Sequence, residues 1–312
     1  MSDSLAARPP IPPDDGSLEG ALVIDKPQGL TSHDVIAALR RALREPRIGH
    51  TGTLDPLATG VLPVLLGRAT RLARFLSNAD KIYEARVRLT CETDTDDETG
   101  KPLTGPTDRR TDRAHIEEAL TPFRGSLLQM PPAYSAKKIA GRRAYALARQ
   151  ALPPALVPVP VTVHQLELLD WQEPVATLRV ACSAGFYVRA LARDLGRALG
   201  TGGHLAALRR EASGRFVLSD AVPLEAVLQD PEIGRRRLLA PGDALEHLPA
   251  VRVSDEELQR VRHGGDVDLA ADAGPLVEGA PHVRLVGPDG ALVGIAAPGA
   301  RPRTLHPVVV LM

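Results

Sequence analysis

The segment from Gly49 to Arg71, GHTGTLDPLATGVLPVLLGRATR, gathers the residues of this 312-residue chain that could do chemistry together. One carboxylate, Asp55, stands beside His50 and three threonines on a glycine-rich stretch, and Pro56 fixes the backbone just after it. This pattern predicts a rigid loop that displays a carboxylate. No GK[ST] follows, so the segment is not a phosphate-binding loop of that kind. An Asp-Pro pair taken alone is usually a simple turn, and that alternative stays open.

Charge and cysteine content limit the function classes. The chain has 38 basic and 38 acidic residues, so its net charge gives no sign of a polyanionic partner. Locally, five basic residues and no acid lie in 134–150, and six arginines lie in 189–215. Such stretches fit a phosphate-contacting face, although solvated helix faces would look the same.

Cys91 and Cys182 form no CxxC or Cys/His cluster, so we expect no metal site and no cofactor, in a reducing cytoplasm. The first twenty residues lack the apolar core of a signal peptide. The longest apolar stretch, near Val61–Leu66, is too short to cross a bilayer, so we expect no membrane association.

The elements that must position Asp55 follow from hydrophobic periodicity. Gly20–Lys26 is a short apolar run typical of a buried strand. Ile82–Thr90 alternates at the two-residue period, which places Tyr83 on the buried face of a strand. Arg47–Gly60 is expected to be a loop rich in Gly, Thr and Pro, and the acidic segment Glu92–Pro106 a surface loop. Further strands are expected at Val161–Leu169 and Ala176–Ser183, and helices at Thr31–Arg44, Gly67–Ser77, Thr111–Thr121, Tyr187–Leu199 and Gly203–Arg210.

Two regions differ from the rest of the chain in composition and hydrophobic pattern. Phe123–Pro160 is a long stretch rich in proline and basic residues, with one expected helix near Arg142–Gln150, and long insertions of this sort are often functional flaps. After about Leu248, short Val/Leu runs alternate with Gly, Pro and Asp, which predicts a small all-β module. We place the boundary near Leu245.

The segment around Asp55 resembles the signature of the TruB-type pseudouridine synthases, the bacterial tRNA pseudouridine-55 synthases. Four other blocks resemble that family in the same order and, with the first, cover most of residues 20–215. These blocks are LVIDKPQGLTSHDV from Leu22, KIYEARVRL from Lys81, QMPPAYSAKKIAGRRAYALARQ from Gln129 and SAGFYVRALARDLGRALGTGGHLAALRR from Ser183. One block alone would be a weaker indication than five in order.

The resemblance implies roles residue by residue. It implies that Asp55 is the catalytic aspartate, that Tyr83 stacks on the target uracil, and that Arg189 pairs with the catalytic carboxylate. It implies that the target nucleotide is held by His50, Tyr187, Leu208 and, in a supporting role, Lys26. Within the insertion, it implies RNA-backbone contacts from Lys137, Lys138, Arg142 and Arg143.

Each of these residues also has an ordinary structural interpretation. Tyr83 could be a half-buried strand tyrosine, Arg189 a surface arginine of a helix, and His50 a loop histidine. These interpretations weaken because the residues fall together in five ordered blocks.

The family resemblance implies that the chain isomerises uridine 55 in the TΨC loop of tRNA. This reaction moves the base from an N1 to a C5 linkage with no change of redox state, which agrees with the missing cofactor motifs. An arginine near Asp55 would favour the ionised carboxylate. A base inside a folded loop must be flipped out, and stacking on Tyr83 would offset about 1–3 kcal/mol of that cost. Asp55 could be a nucleophile at C1′ or a base at C2′.

The predicted fold is α+β, with a central mixed, mainly antiparallel sheet, a thumb-like insertion at about 123–160 and a small PUA-like β domain. The expected domains are a flexible terminus over 1–18, a catalytic domain over 19–245 and an RNA-binding domain over 246–312. The expected partner is tRNA, through its T-arm and acceptor end, with no obligate protein partner. A synthase acting on another RNA, including a guide-directed one, and a non-catalytic RNA-binding or RNA-folding module are the alternatives.

Overall fold

The computed structural model describes residues 18–103, 105–133, 138–139, 142–143, 156–269, 277 and 279–312. Its strands are β1 (Gly20–Lys26), β2 (Ile48–His50), β3 (Thr59–Leu66), β4 (Lys81–Arg88), β5 (Gly125–Gln129), β6 (Lys138–Ile139), β7 (Arg142–Arg143), β8 (Val159–Gln172), β9 (Val175–Cys182), β10 (His204–Ser213), β11 (Phe216–Val217), β12 (Val222–Pro223), β13 (Ala250–Arg252), β14 (Val267–Asp268), β15 (Val283–Val286), β16 (Leu292–Pro298) and β17 (Thr304–Val310). Its α-helices are α1 (Ser32–Leu43), α2 (Ala73–Leu76), α3 (Arg113–Leu120), α4 (Val188–Leu199), α5 (Leu224–Gln229), α6 (Pro231–Arg236), α7 (Pro241–Ala244) and α8 (Asp255–Arg262).

Ten strands of the described residues form one sheet, in the order β12-β1-β3-β10-β4-β9-β8-β5, with β11 beside β10 and β2 beside β3. The β1–β12 and β3–β10 pairs are parallel and the others are antiparallel. This confirms the predicted α+β class with a mixed, mainly antiparallel sheet. Strand β10 lies at the centre, between β3 and β4.

The two faces of this sheet are buried against different partners. We call front face the one on which Leu22 and Tyr83 belong to a large apolar cluster with residues of α1 and α4. We call back face the one on which Val23 and Leu65 belong to a second cluster. Adjacent residues of β1 enter opposite clusters because successive strand residues point to opposite faces.

The back face is covered by residues from two distant parts of the chain. The segment Gly67–Leu72 and α2 supply Ala69, Leu72 and Leu76, while the last strands and the chain end supply Ile295, Val309 and Leu311. Two arginines reinforce this contact: Arg71 donates to the carbonyl of Val310, and Arg74 donates to the carbonyl of Val308 at 3.0 Å.

The C-terminal strands form a separate five-stranded sheet in the order β13-β15-β16-β17-β14, with an apolar cluster of its own. The predicted small C-terminal β module is confirmed. It also contains α8, which Ser254 caps while Glu257 returns a hydrogen bond to the Ser254 backbone. This capping box stabilises a helix that the short apolar runs did not suggest.

One predicted helix is a strand. Gly203–Arg210 was expected to be a helix, but His204–Arg210 lies in β10, where Leu205 pairs with Val87 and Arg210 pairs with Tyr83. Leucine, alanine and arginine favour helices, and here pairing on both sides with β3 and β4 outweighs that preference.

Other predictions needed smaller corrections. The helix starting at Thr31 is confirmed, with Thr31 as its cap, but Arg47–Gly60 is a loop only between β2 and β3. The helix expected at Thr111 is capped by Asp112. Arg142 lies in a two-stranded ribbon with Lys138–Ile139 and not in a helix, and residues 144–155 lie outside the described residues. Of the expected flexible terminus, Leu18 is described and it is buried.

Candidate active site

Hydrogen bonds from the start of α1 fix the loop that carries Asp55. Ser32 Oγ accepts a hydrogen bond from the Leu54 amide at 2.8 Å and donates to the Leu54 carbonyl at 3.2 Å. The Gly29 amide donates to the carbonyl of Pro56 at 2.8 Å. The loop is therefore fixed on both sides of Asp55, whose side chain keeps 39% of its surface exposed.

The end of the loop needs a glycine. Gly60 has φ +98°, and a Cβ built on it would lie 2.3 Å from the carbonyl oxygen of Arg210 on the neighbouring strand β10. A side chain there would force β3 and β10 apart, because that oxygen belongs to the backbone. The glycine keeps the loop close to β10 on the front face.

Asp55 faces a buried arginine from α4. Arg189 Nε lies 2.9 Å from Asp55 Oδ2, and the arginine side chain is only 7% exposed. Its Nη1 lies 3.7 Å from Asp97 Oδ2 and donates to the carbonyl of Thr95 at 2.9 Å. Arg189 therefore joins Asp55 at the open cleft to the segment behind it, and these contacts hold the guanidinium in place.

That segment, Glu92–Pro106, was expected to be an acidic surface loop, and this expectation was wrong for Thr93 and for two of its acidic residues. Asp96 and Asp97 are both buried. Asp97 Oδ1 accepts hydrogen bonds from Thr95 Oγ1 at 2.7 Å, from Thr99 Oγ1 at 2.6 Å and from the Thr99 amide at 3.0 Å. Buried carboxylates need such donors or a cation, and the polar sequence pattern did not reveal that this loop folds inward.

Asp96 forms the second ion pair of this loop. Arg193, one turn after Arg189 on α4, lies 2.9 Å from Asp96 and also donates to Asp194 at 2.8 Å and to the carbonyl of Met130 at 3.0 Å. Burial raises the pKa of Asp96, and the positive charges of Arg193 and Arg189 oppose that rise. Two arginines of one helix thus bind two consecutive carboxylates of one loop.

Two more cations lie under the Asp55 loop. Lys26 has no exposed surface, and its Nζ donates to the carbonyls of Ala58 at 2.7 Å and Pro27 at 2.8 Å. Burial lowers the pKa of Lys26 from 10.5 to about 8, while the negative charge of Asp55 opposes this shift. Lys26 therefore supports the loop and touches no open surface of the cleft.

Arg210 is 1% exposed and donates to the carbonyls of Val61 at 2.7 Å and Gly52 at 3.2 Å. Sequence reasoning missed it because its segment was taken for a helix. In a strand, Arg210 shares a face with Leu208, so alternation would have placed it in the interior.

Comparison with known proteins identifies the family. A model described as the N-terminal domain of TruB family pseudouridylate synthases matches residues 40–188. A model described as the tRNA pseudouridylate synthase B C-terminal domain matches residues 189–245. The chain belongs to the TruB family of pseudouridine synthases.

Individual TruB relatives match over most of the chain. A tRNA pseudouridine synthase B from Solibacter usitatus is 42% identical over 94% of this chain and all of that protein. The one from Gloeobacter violaceus is 50% identical over 76% of this chain and 82% of that protein. Among solved structures, a Cbf5-Nop10-Gar1 complex matches with a TM-score of 0.71 at 26% identity, covering 94% of this chain and 85% of that one. An H/ACA RNP bound to a substrate RNA containing 2'-deoxyuridine matches with a TM-score of 0.69 at 25% identity and the same coverages.

The structure brings most of the residues assigned by resemblance to the TruB family onto the front face. Tyr83 on β4 and Leu208 on β10 are buried in the same apolar cluster. Tyr187 is half-buried just before α4, and its backbone exchanges hydrogen bonds of 2.8 and 3.0 Å with the side-chain amide of Gln129. His50 is half-buried at the end of β2, with its ring centroid 5.7 Å from that of His33 in an edge-to-face arrangement.

The basic residues of the insertion are described only in part. Lys137 lies outside the described residues. Lys138, Arg142 and Arg143 lie in the β6–β7 ribbon, where Lys138 pairs with Arg143.

In the described part of the chain, no group of three or more His, Cys, Asp or Glu side chains is placed to hold a metal ion. None of the helices in the described ranges is long and apolar enough to cross a membrane.

Proposed function

We propose that this TruB-family chain isomerises uridine to pseudouridine at position 55, in the TΨC loop of tRNA. The observation that carries the proposal is an ion pair between the loop and α4. Asp55, partly exposed on a loop that is fixed on both sides, lies 2.9 Å from the buried Arg189 of α4. The names and matched lengths of the relatives support tRNA as the substrate.

The reaction breaks the bond between C1′ and N1, turns the uracil and joins C1′ to C5, after which the C5 proton leaves. Asp55 must be ionised for this, either to attack C1′ or to remove the C2′ proton. Arg189 pairs with this carboxylate at 2.9 Å and fixes its orientation. Because Arg189 is anchored on Asp97 and on the Thr95 carbonyl, the carboxylate is oriented before RNA binds.

The flipped nucleotide would lie between the loop and the front face. In our proposal the uracil stacks on Tyr83, whose hydroxyl helps to remove the C5 proton. Leu208 and Tyr187 form walls of the pocket, and His50 helps to hold the extruded nucleotide. Lys26 acts through the loop, since its Nζ is bonded to the Ala58 carbonyl beneath it.

We propose a catalytic domain over residues 19–245 and an RNA-binding, PUA-like domain over 246–312 that contacts the acceptor end of the tRNA. The five-stranded sheet that begins with β13, with its own apolar cluster, supports this division. Lys137, Lys138, Arg142 and Arg143 are proposed to contact the phosphate backbone, so binding should weaken as salt rises. We propose that the enzyme acts in the cytoplasm with no obligate protein partner.

The decisive experiment is tritium release from unmodified tRNA labelled as [5-³H]uridine, with wild type beside Asp55→Asn. Wild type should release one tritium per tRNA, and Asp55→Asn should bind tRNA while releasing none. A tRNA with cytidine at position 55 serves as the substrate control and should release none with wild type. A binding or folding module would bind tRNA and release no tritium in any of these reactions.

A guide-directed synthase is the second candidate, because one of the solved structures that match is an H/ACA RNP bound to a substrate RNA. It predicts that purified chain and tRNA alone give no release until a guide RNA or protein is added. Release with tRNA alone rejects this candidate.

A further inference from the structure

Gln129 is buried, although glutamine side chains are mostly exposed in folded proteins. It is the last residue of β5 and is only 3% exposed. Its side-chain amide faces the backbone of Tyr187, a residue 58 positions away in the chain. Nε2 donates to the Tyr187 carbonyl at 3.0 Å, and Oε1 accepts from the Tyr187 amide at 2.8 Å. These two hydrogen bonds offset the cost of burying a polar side chain.

The residue that Gln129 binds lies at the start of α4. Tyr187 is the N-cap residue of this helix, and its own side chain supplies no capping hydrogen bond to the described residues. Helices usually begin with a Ser, Thr, Asp or Asn side chain that fixes the first turn. Here a side chain from another element binds the N-cap backbone instead. Arg189 follows Tyr187 by two residues, so a shift of this backbone would move the guanidinium that lies 2.9 Å from Asp55.

The same part of the chain forms the base of the insertion at 123–160. Gln129 pairs across the sheet with Val159, the first residue of β8. The next residue, Met130, accepts a hydrogen bond through its carbonyl from Arg193 Nη2 of α4 at 3.0 Å. Two consecutive residues at the base of the insertion are therefore bound to α4, one at the helix start and one at Arg193.

We propose that Gln129 is a positioning residue that fixes the start of α4, and with it Arg189, against the base of the insertion. Gln129 is too deeply buried to act on the substrate itself, so its effect reaches Asp55 through Tyr187 and Arg189. This inference rests on the proposed function, because it concerns the orientation of the carboxylate that acts in that reaction.

The test is Gln129→Met, which keeps an unbranched side chain of similar length but cannot pair with both backbone groups of Tyr187. Single-turnover tritium release from [5-³H]uridine-labelled tRNA, with enzyme in excess, should slow at least about tenfold per folded molecule, because small displacements of positioning groups are costly. The tRNA dissociation constant should stay within about twofold. A rate within about twofold of wild type overturns the proposal.

Hydrogen exchange at the start of α4 separates positioning from a general structural role. The Tyr187 amide loses its acceptor in Gln129→Met, so amides of the segment 187–191 should exchange at least about tenfold faster. Faster exchange with a wild-type release rate would show a structural role alone and overturn the proposal. A slower release rate with unchanged exchange would also overturn it, because Gln129 would then act by another route.

Gln165→Met is the matched control. Gln165 is an exposed residue of β8 whose Nε2 donates to Glu167 at 2.6 Å. Its replacement should leave the release rate within about twofold and the exchange of α4 unchanged. If Gln129→Met does not fold, Gln129→Asn takes its place, since it keeps a polar amide but is one methylene too short to reach both backbone groups. Absence of release from wild type on tRNA would instead refute the proposed function, so the two failures are distinguishable.

Discussion

The front and back faces of the ten-stranded sheet both bury apolar side chains, but they differ in buried charge. The front face places buried charges, Lys26, Arg189 and Arg210, among its apolar residues. The back-face cluster is made of apolar residues, among them Val61 and Leu65 from strand β3, which contributes to both clusters. Strand β3 thus lies between the face that contains the candidate site and a purely apolar cluster.

This difference suggests that the buried charges of the front face position the site, whereas the apolar back face stabilises the fold. Burying a charge is unfavourable unless hydrogen bonds or ion pairs compensate, so the front face retains its cations where they hold the Asp55 loop and its neighbours. Burying apolar surface on the back face is favourable at about 25 cal/mol per Å². Substitutions of the buried polar residues on the front face should therefore lower the reaction rate. Substitutions of apolar residues on the back face should lower the free energy of unfolding.

The largest expected effect is on stability at the back face. Leu65→Ala removes a side chain that is 1% exposed and should lower the free energy of unfolding by about 2–5 kcal/mol, with the single-turnover rate per folded molecule unchanged. Urea unfolding and tritium release measure the two quantities. Leu228→Ala, at a residue 42% exposed, is the control and should cost less than about 0.5 kcal/mol. A slower rate in Leu65→Ala would break the separation of the faces.

The next effect is on rate at the front face. Asp97→Asn puts an amide NH₂ beside the donors of Arg189, which should displace the guanidinium and slow release on the order of 10²-fold. The unfolding free energy and tRNA binding should change little, because the amide oxygen still accepts from Thr99. Asp94→Asn, in the same loop and bonded to the Lys101 amide, is the control and should leave the rate unchanged. Equal rates for the two variants would remove Asp97 from the site.

The smallest expected effect is a pH dependence of the free energy of unfolding, which measures the cost of burying a charge. Lys81 is buried, its Nζ donates to the carbonyls of Ser77 and Ala79, and burial lowers its pKa from 10.5 to about 8. Between these values the unfolded chain holds a proton that the folded protein has released, so stability rises with pH. Wild type should gain about 1 kcal/mol relative to Lys81→Met between pH 7 and 9. A constant difference in unfolding free energy would show that Lys81 carries no such cost.

The sequence was most informative where local patterns and the final structure agree. Alternation predicted β4 and the buried side of Tyr83, and a threonine cap predicted α1. The pairing of Asp55 with Arg189, expected from resemblance, is present at 2.9 Å. What failed depended on distant partners, because β10 is a strand only through β3 and β4.

The same limit explains which parts of the site were missed. Asp97 and Arg210 look like surface residues in their own segments, an acidic turn and a basic end of an apparent helix. In the folded protein, Asp97 is buried beside Arg189, and the buried Arg210 donates to the Gly52 and Val61 carbonyls. The catalytic roles themselves stay predictions until the variants are measured.

The covering of the back face by Ile295, Val309 and Leu311 has a consequence for biosynthesis. Strands β1 and β3 leave the ribosome long before these residues are made, so the apolar side of the sheet must remain exposed to solvent while the rest of the chain is translated. Uncovered apolar surface and open strand edges are prone to aggregation. The nascent protein should therefore be prone to aggregation until β17 docks and its backbone is bound by Arg71 and Arg74.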